Sequence, residues 1–178
     1  MKSRAVTGVL LVGGASTRFG GPKALAPYRG ESLAERGWRV LGDVCDERIA
    51  VGKAADALSL PFPVLDDGSD TRAPVFGVLA GLRAAAHDVC LVLPVDCPCI
   101  TPAALAALVD AVAVPQTGPL PGAYVKAMVP LMEERVARGE LSLRSVNPTV
   151  LEIDEAVLVD VDTVAELERV IAERDRST

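Results

Sequence analysis

The chain has 178 residues, of which 50% are hydrophobic and 3% aromatic, and its formal net charge is −6. This length predicts one domain over residues 1–178, with a single core built from Val, Leu and Ala. No apolar run is long enough to cross a membrane, and the acidic balance argues against a nucleic-acid partner. We therefore expect no membrane and no nucleic acid as partners, and a cytoplasmic location.

Cysteine and histidine usage excludes several kinds of site. Four cysteines (Cys45, Cys90, Cys97 and Cys99) have neither zinc-ligand nor thioredoxin spacing, which predicts reduced thiols packed mostly in the core. His87 is the only histidine, and it is predicted to end a helix rather than to catalyse. Ser-His-Asp hydrolysis and histidine-based metal sites are therefore excluded.

The first half of the chain alternates apolar strands with helices. Strands are predicted at residues 6–12, 48–51, 63–65 and 89–95, and helices at residues 32–41 and 75–86. The runs at 6–12 and 89–95 are continuously apolar, which is typical of strands buried on both faces of a sheet. One of them stops at Asp96, and the strand at 48–51 stops at Gly52.

The second half continues the alternation with shorter elements. Thr101 and Pro102 are a favourable N-cap and first helical residue, so a helix is predicted from there to about residue 110. Further helices are predicted at 129–138, 141–146 and 163–173, the last opened by a Thr163–Glu166 capping box, and strands at 111–114, 123–125, 149–153 and 156–161. This order predicts the α/β class: a three-layer Rossmann-like sandwich with a mainly parallel central sheet.

A glycine-rich segment follows the first strand and is locally basic. The apolar run ends in Gly13 and Gly14, and Arg18, a second glycine pair and Lys23 follow. Residues 1–30 contain five Lys or Arg residues and no Asp or Glu. Glycine allows the backbone N–H groups to approach an anion closely, and the cations supply the opposite charge. The segment therefore predicts a phosphate-binding site.

Two familiar phosphate-binding motifs do not fit this segment. Pro22 separates Gly21 from Lys23 and Ala24 follows, so the Gly-Lys-Ser/Thr of a P-loop is absent. Adjacent Gly13 and Gly14 do not match the G-x-G-x-x-G dinucleotide fingerprint. The remaining pattern is two glycines directly after a strand, then arginine and lysine at fixed spacing.

This segment, LVGGASTRFGGPK at residues 11–23, resembles the signature loop of the nucleoside-triphosphate transferases. In particular, it resembles that of the MobA-type molybdenum cofactor guanylyltransferases. Four later segments resemble the same family in the same order: PVFGVLAGL at 74–82, LPVDCP at 93–98, PLPGAY at 119–124 and GELSLR at 139–144. The resemblance therefore covers nearly the whole chain.

The resemblance implies transfer of GMP from GTP to the phosphate of molybdopterin or its molybdenum form, with Mg²⁺ as cofactor and pyrophosphate as product. A molybdoenzyme or a cofactor-delivery protein is the implied protein partner. The implied nucleotide-binding residues are Leu11, Val12, Gly13, Gly14, Lys23, Gly52, Asp67 and Asp96. Arg18, Lys23 and Asp96 are the implied catalytic residues, and Asp96 is the implied metal ligand, with Asp160 or Asp162 as a candidate second ligand.

Asp96 is also a metal candidate from its position alone. It follows a continuous apolar strand, and open α/β sheets bind ligands beyond the carboxyl ends of their strands. Mg²⁺ requires only one or two carboxylates when phosphate oxygens and water complete its shell.

Departures from the family pattern leave alternatives open. Pro22 stands where the family often has an acid, and Asp160-Val-Asp162-Thr163 replaces its Asn-x-Asn-Thr. Similar sequences occur in related cytidylyltransferases and phospholactate guanylyltransferases. Cytidylyl transfer to the same cofactor and guanylyl transfer to another small phosphate therefore remain alternatives. A non-catalytic carrier of nucleotide or pterin is the alternative from a different class of protein.

Overall fold

The computed structural model describes residues 4–14 and 18–176. The described residues form nine strands: β1 (Val6–Leu11), β2 (Pro27–Tyr28), β3 (Glu31–Ser32), β4 (Glu47–Gly52), β5 (Val64–Asp66), β6 (Val89–Pro94), β7 (Val114–Pro115), β8 (Gly122–Val125) and β9 (Val150–Leu151). They also form five α-helices: α1 (Leu33–Gly42), α2 (Pro74–Ala84), α3 (Pro102–Ala111), α4 (Val129–Ala137) and α5 (Val164–Arg176).

A mainly parallel sheet occupies the centre, with strand order β5-β4-β1-β6-β8. The first four strands in this order run parallel, and β8 pairs antiparallel with β6 at one edge. Leu11 is in register with Val51 of β4 and with Pro94 of β6. The three central strands therefore end at the same level, and the loops that follow them meet at one edge of the sheet.

Helices cover both faces of this sheet. Leu10 of β1 belongs to a buried cluster with residues of α1, α3 and α5. Its neighbours Val9 and Leu11 belong to a second cluster with residues of α2 and α4. Because successive side chains of a strand point to opposite faces, the continuous apolar runs give a sheet buried on both sides. The predicted three-layer α/β fold is confirmed.

Gly81 lets α2 lie unusually close to β1. A Cβ atom at Gly81 would come within 2.4 Å of one Val9 methyl and 2.9 Å of the other. At Gly77, one turn earlier, a Cβ atom would lie 2.9 Å from a Leu11 methyl. Glycine is a weak helix former, but at these two positions it allows α2 to pack closely on β1. The first turn of α2 therefore lies against the end of β1, where the candidate site is.

Gly81→Ala is expected to destabilise the fold by about 1–3 kcal/mol, although alanine is the better helix former, because the stiff Val9 side chain cannot move aside. The free energy of unfolding from urea titration measures this. Gly118→Ala is the control, because a Cβ atom there meets nothing within 4 Å. Equal free energies of unfolding for the Gly81→Ala variant and the parent would contradict this, because they would show that α2 can move away from β1 without loss of stability.

Two predicted elements of the second half are wrong. Residues 141–146 contain a turn at 144–146 and no helix. Leu143 and Val146 are buried at helical spacing, but Asn147 immediately after them anchors the chain differently. Its amide nitrogen donates to the carbonyl oxygens of Val112 and Ala123, both at 2.7 Å. These side-chain bonds to backbone hold a turn that the apolar spacing alone did not indicate.

Residues 156–161 do not form the predicted strand. Asp154 accepts a hydrogen bond from the Ala156 N–H at 3.0 Å, which caps a single 3₁₀ turn at Glu155–Val157. The predicted strands at 111–114 and 149–153 are shorter, and β7 and β9 pair parallel outside the main sheet. The other predicted helices and strands are present, with boundaries shifted by a few residues.

All four cysteines are free thiols, and Cys90, Cys97 and Cys99 are buried, as predicted. Within residues 4–14 and 18–176, no helix combines the length and apolarity that a membrane span needs.

Candidate active site

A cavity of about 300 Å³ opens at the edge where β1, β4 and β6 end. Its lining comes from the loops after these strands, the start of α2 and the segment before α5. The lining residues are Leu11, Val12, Gly13, Gly14, Lys23, Val51, Gly52, Lys53, Asp67, Arg72, Ala73, Pro74, Gly77, Pro94, Val95, Asp96, Leu120 and Asp162. This is the edge at which open α/β sheets bind their ligands.

Two glycines allow the loops after β1 and β4 to touch. A Cβ atom at Gly13 would lie 3.2 Å from Gly52 Cα, and one at Gly52 would lie 3.0 Å from a Val12 methyl. The Val12 N–H also donates to the Val51 carbonyl at 2.9 Å. At Gly14 nothing lies within 4 Å of the added atom, so backbone faces open space there. Residues 15–17 of the predicted phosphate loop lie outside the described residues.

Lys23 lies between two carboxylates. Its Nζ atom is 3.4 Å from Asp96 Oδ2 and 3.1 Å from Asp162 Oδ1. Arg18 reaches the other oxygen of Asp162 at 3.0 Å. The Lys23 side chain is only 13% exposed, whereas Asp96 is 30% and Asp162 is 42% exposed. Lys23, Asp96 and Asp162 of this cluster thus line one part of the cavity, and Arg18 joins them through Asp162.

The two carboxylates of this cluster have opposite pKa shifts. Burial raises the pKa of Asp96, and the nearby Lys23 ammonium opposes that shift only partly. A hydrogen bond from Lys23, supported by Arg18, lowers the pKa of the more exposed Asp162. A cation beside Asp96 would favour its ionised form and offset the effect of burial, so the site suits a cation in addition to Lys23.

The two candidates for a second metal ligand lie in different places. Asp162 lines the cavity beside Lys23, whereas Asp160 is exposed and does not line it. The Val161 N–H between them donates to the Asp96 carbonyl at 2.9 Å, which fixes this segment against the loop after β6. Glu166 accepts from the Asp162 and Thr163 N–H groups, so the carboxylate of Asp162 is not needed as the helix cap.

Asp67 lies at the other end of the cavity in a buried ion pair. Both of its carboxylate oxygens lie within 2.9 Å of Lys53 Nζ, and its own N–H donates to the Gly52 carbonyl at 2.9 Å. Its side chain is 8% exposed and that of Lys53 is 10% exposed. The sequence interpretation missed Lys53, although its position directly after Gly52, at the end of a parallel strand, is a signal that could have found it.

Arg72 is a second lining residue that the sequence interpretation missed. Its guanidinium donates to Asp56 at 2.6 Å and to the Gly14 carbonyl at 3.4 Å. It therefore joins the glycine segment to the turn after β4. No local motif singled it out, because its partners lie 16 and 58 residues away.

The cavity gathers most residues that the sequence singled out. Those lining it are Leu11, Val12, Gly13, Gly14, Lys23, Gly52, Asp67, Asp96 and Asp162. Arg18 is not among the lining residues and joins the cluster through Asp162, while Asp160 stays outside.

The donor set fits a hard divalent cation that arrives with phosphates. No group of three or more His, Cys, Asp or Glu side chains suited to a metal exists among residues 4–14 and 18–176, so a complete protein cage is not present in the described part. Asp96 and Asp162 nevertheless both reach one ammonium group, so the two carboxylates already surround a positive charge. Mg²⁺ is commonly held by one or two carboxylates together with substrate phosphates and water.

Fold and cavity together define a nucleotidyltransferase-type α/β protein, with a glycine turn, a lysine and carboxylates at the carboxyl edge of a parallel sheet. Residues 8–150 match the family described as the MobA-like NTP transferase domain. Since this match spans most of the chain, the chain belongs to that family, and the resemblance seen in the sequence is confirmed.

Individual relatives agree with this assignment. The chain is 34% identical to a probable molybdenum cofactor guanylyltransferase of Rhodopirellula baltica, over 90% of this chain and 89% of that protein. It is 31% identical to the molybdenum cofactor guanylyltransferase of Pseudomonas putida, over 76% of this chain and 78% of that protein. Among solved structures, molybdopterin-guanine dinucleotide biosynthesis protein A of Archaeoglobus fulgidus superposes with a TM-score of 0.78 at 18% identity, covering 96% and 99% of the two chains. That last similarity concerns the fold alone.

Proposed function

We propose that this nucleotidyltransferase transfers GMP from GTP to the terminal phosphate of molybdopterin or its molybdenum form, with Mg²⁺ as cofactor and pyrophosphate as leaving group. The observation that carries the proposal is the placement of Lys23 between Asp96 and Asp162, beside the glycine segment in one cavity. The choice of GTP and of the acceptor is supported by the two relatives named above, both called guanylyltransferases of this cofactor.

In the proposed reaction an oxygen of the acceptor phosphate attacks the α-phosphorus of GTP, and the bond to the β-phosphate oxygen breaks. The protein forms no covalent bond in such a transfer, so it acts through position and charge. Asp96 and Asp162 would hold Mg²⁺, which would neutralise phosphate charge as pyrophosphate departs. Lys23 would turn from these carboxylates to the phosphates and stabilise the same developing charge.

The remaining lining residues fit the rest of the nucleotide. The exposed backbone at Gly14 is positioned to donate N–H groups to the polyphosphate, next to the proposed metal ligands. Gly52 ends β4 and Asp67 follows β5, on the opposite side of β1 from β6 and Asp96. We assign the nucleoside to this end, where the Lys53 ion pair holds Asp67 in a fixed orientation.

The wider setting of the reaction is also part of the proposal. Four free thiols fit a reducing compartment, which supports the expected cytoplasmic location. The product would pass to a molybdoenzyme or a delivery protein, since a cofactor has its use inside another protein. A single catalytic domain over residues 1–178 is consistent with the cavity's lining, which comes from residues 11 to 162.

Pyrophosphate release tests the proposal. We expect release when the protein, Mg²⁺, GTP and molybdopterin are mixed, and none when either GTP or molybdopterin is omitted. CTP and ATP are the matched nucleotide controls and should give little release. Release with CTP instead of GTP would contradict the base assignment. Tight GTP binding without pyrophosphate release under any condition would support a non-catalytic carrier.

A further inference from the structure

The loop that follows Asp96 is held by two arginines from different helices. Arg36 of α1 donates through Nε to the Pro98 carbonyl at 2.5 Å and through Nη2 to the Ile100 carbonyl at 3.0 Å. Arg174 of α5 donates through Nη2 to the Cys99 carbonyl at 3.0 Å. Three consecutive carbonyl oxygens thus accept hydrogen bonds from guanidinium groups. We call Arg36 and Arg174 the arginine clamp.

This loop needs such partners because it is buried. Residues 97–100 are all buried, and the loop has little regular structure to satisfy its carbonyls. A buried carbonyl group without a hydrogen-bond donor destabilises the fold, and the arginine clamp provides donors for three such carbonyls. The planar guanidinium of Arg36 suits the task because its nitrogen atoms reach two carbonyls at once in a fixed geometry.

Arg36 is itself firmly held. It lies in the first turn of α1, which begins with a capping box between Ser32 and Glu35. Its guanidinium lies 5.4 Å from the centre of the Tyr28 ring. The Arg36 end of the clamp therefore belongs to a firmly held part of the fold, which ties the loop after β6 to α1.

We propose that the arginine clamp positions Asp96 for the transfer reaction by fixing the loop at residues 97–100. On the N-terminal side of Asp96 the Val95 N–H donates to the Leu11 carbonyl at 3.2 Å, and on the C-terminal side the Val161 N–H donates to the Asp96 carbonyl, so the backbone on both sides of its carboxylate is restrained. Arg36 and Arg174 are not among the residues that line the cavity, and their described hydrogen bonds to this loop go to backbone carbonyls. The catalytic part of this inference rests on the proposed function, whereas the structural part does not.

Arg36→Lys is the principal test, because lysine keeps the charge but lacks the fork that reaches two carbonyls. We expect the affinity of the protein–GTP complex for Mn²⁺, measured by electron paramagnetic resonance, to fall about 10-fold or more, as is usual for residues that orient metal ligands. kcat should fall by a similar factor while the KM for GTP stays unchanged. Arg39→Lys is the matched control, because Arg39 lies on the same helix, is exposed, and pairs only with Glu31 in the contacts that the structure describes.

Arg174→Lys gives a second, independent variant that loses the bond to Cys99. It should lower Mn²⁺ affinity and kcat by a smaller factor than Arg36→Lys does. If Arg36→Lys folds poorly, this variant tests the inference instead.

The clamp should also act only through Asp96. In an Asp96→Asn background, Arg36→Lys should therefore lower the residual rate no further.

The crystal structure of the ligand-free Arg36→Lys protein separates this inference from the proposed function. We expect the distance from Lys23 Nζ to the Asp96 carboxylate to exceed hydrogen-bond length, against 3.4 Å in the parent. An unchanged distance, or Mn²⁺ affinity equal to that of Arg39→Lys, would overturn the inference. A parent protein that neither binds Mn²⁺ with GTP nor releases pyrophosphate would contradict the proposed function, and the distance would still decide the role of the clamp.

Discussion

Asp96→Asn is expected to lower kcat for GMP transfer by about 10²–10³-fold or more, the range seen when a group that stabilises transition-state charge is removed. The amide has the same shape as the carboxylate but not its charge, so it is a poor ligand for Mg²⁺. Single-turnover measurement of pyrophosphate release with saturating GTP and molybdopterin reports this loss directly.

The same variant should be as stable as the parent or more stable. Burial raises the pKa of Asp96 in the folded state, so the ionised carboxylate destabilises the fold at neutral pH relative to the unfolded chain. Removing the charge removes that cost. A thermal unfolding midpoint at or above that of the parent, together with lost activity, is the expected combination.

Neighbouring carboxylates provide matched controls for Asp96→Asn. Asp162→Asn should also lose activity, because that carboxylate lines the cavity and reaches Lys23. Asp160→Asn should retain it, because its exposed side chain does not line the cavity. Parent-like turnover by Asp96→Asn under limiting Mg²⁺, or equal losses at Asp160 and Asp162, would mean that the metal lies elsewhere.

Lys23→Met is expected to lower kcat/KM for GTP by about 10²–10³-fold, through both a higher KM and a lower kcat. The ammonium is proposed to touch the phosphates in the ground state and in the transition state, so binding and turnover should both suffer. Methionine keeps much of the unbranched side chain, so packing around it changes little. Steady-state kinetics with GTP as the varied substrate measure the effect.

Lys126→Met is the control for this variant. Lys126 is also half-buried, but it follows β8 near the opposite edge of the sheet and donates to the Ala85 carbonyl. Its replacement should leave KM and kcat unchanged. If Lys23→Met changed neither constant, the glycine segment would have to serve some purpose other than holding a triphosphate.

The central fold, and the residues that the cavity brings together, could be predicted because the signals were local and strong. The uninterrupted apolar runs of β1 and β6 indicate a parallel sheet that helices cover on both faces. The carboxyl ends of neighbouring parallel strands lie at the same edge of such a sheet. Asp96 and the pair Gly13 and Gly14 each directly follow such a strand. Their proximity in space therefore follows from the sheet topology, without any knowledge of side-chain contacts.

The missed parts depend on contacts between distant segments. Arg72 has its partners on other loops, and nothing in the nearby sequence indicates it. The turn at 144–146 depends on Asn147 bonding to carbonyls at residues 112 and 123. That Asp162 rather than Asp160 lines the cavity likewise depends on the position of the segment before α5, which the Asp-x-Asp pattern leaves open.

The position of Lys23 has a consequence for the order in which substrates bind. Its ammonium serves as a resident counter-ion for Asp96 and Asp162, and since it is tethered to the chain its effective concentration there is high. Under the proposed function, magnesium alone would have to displace this competitor, and a triphosphate alone would meet two carboxylates. When both are present, the carboxylates would hold the metal and the ammonium would bind the phosphates. Metal and nucleotide should therefore each increase the affinity of the protein for the other, by the same factor.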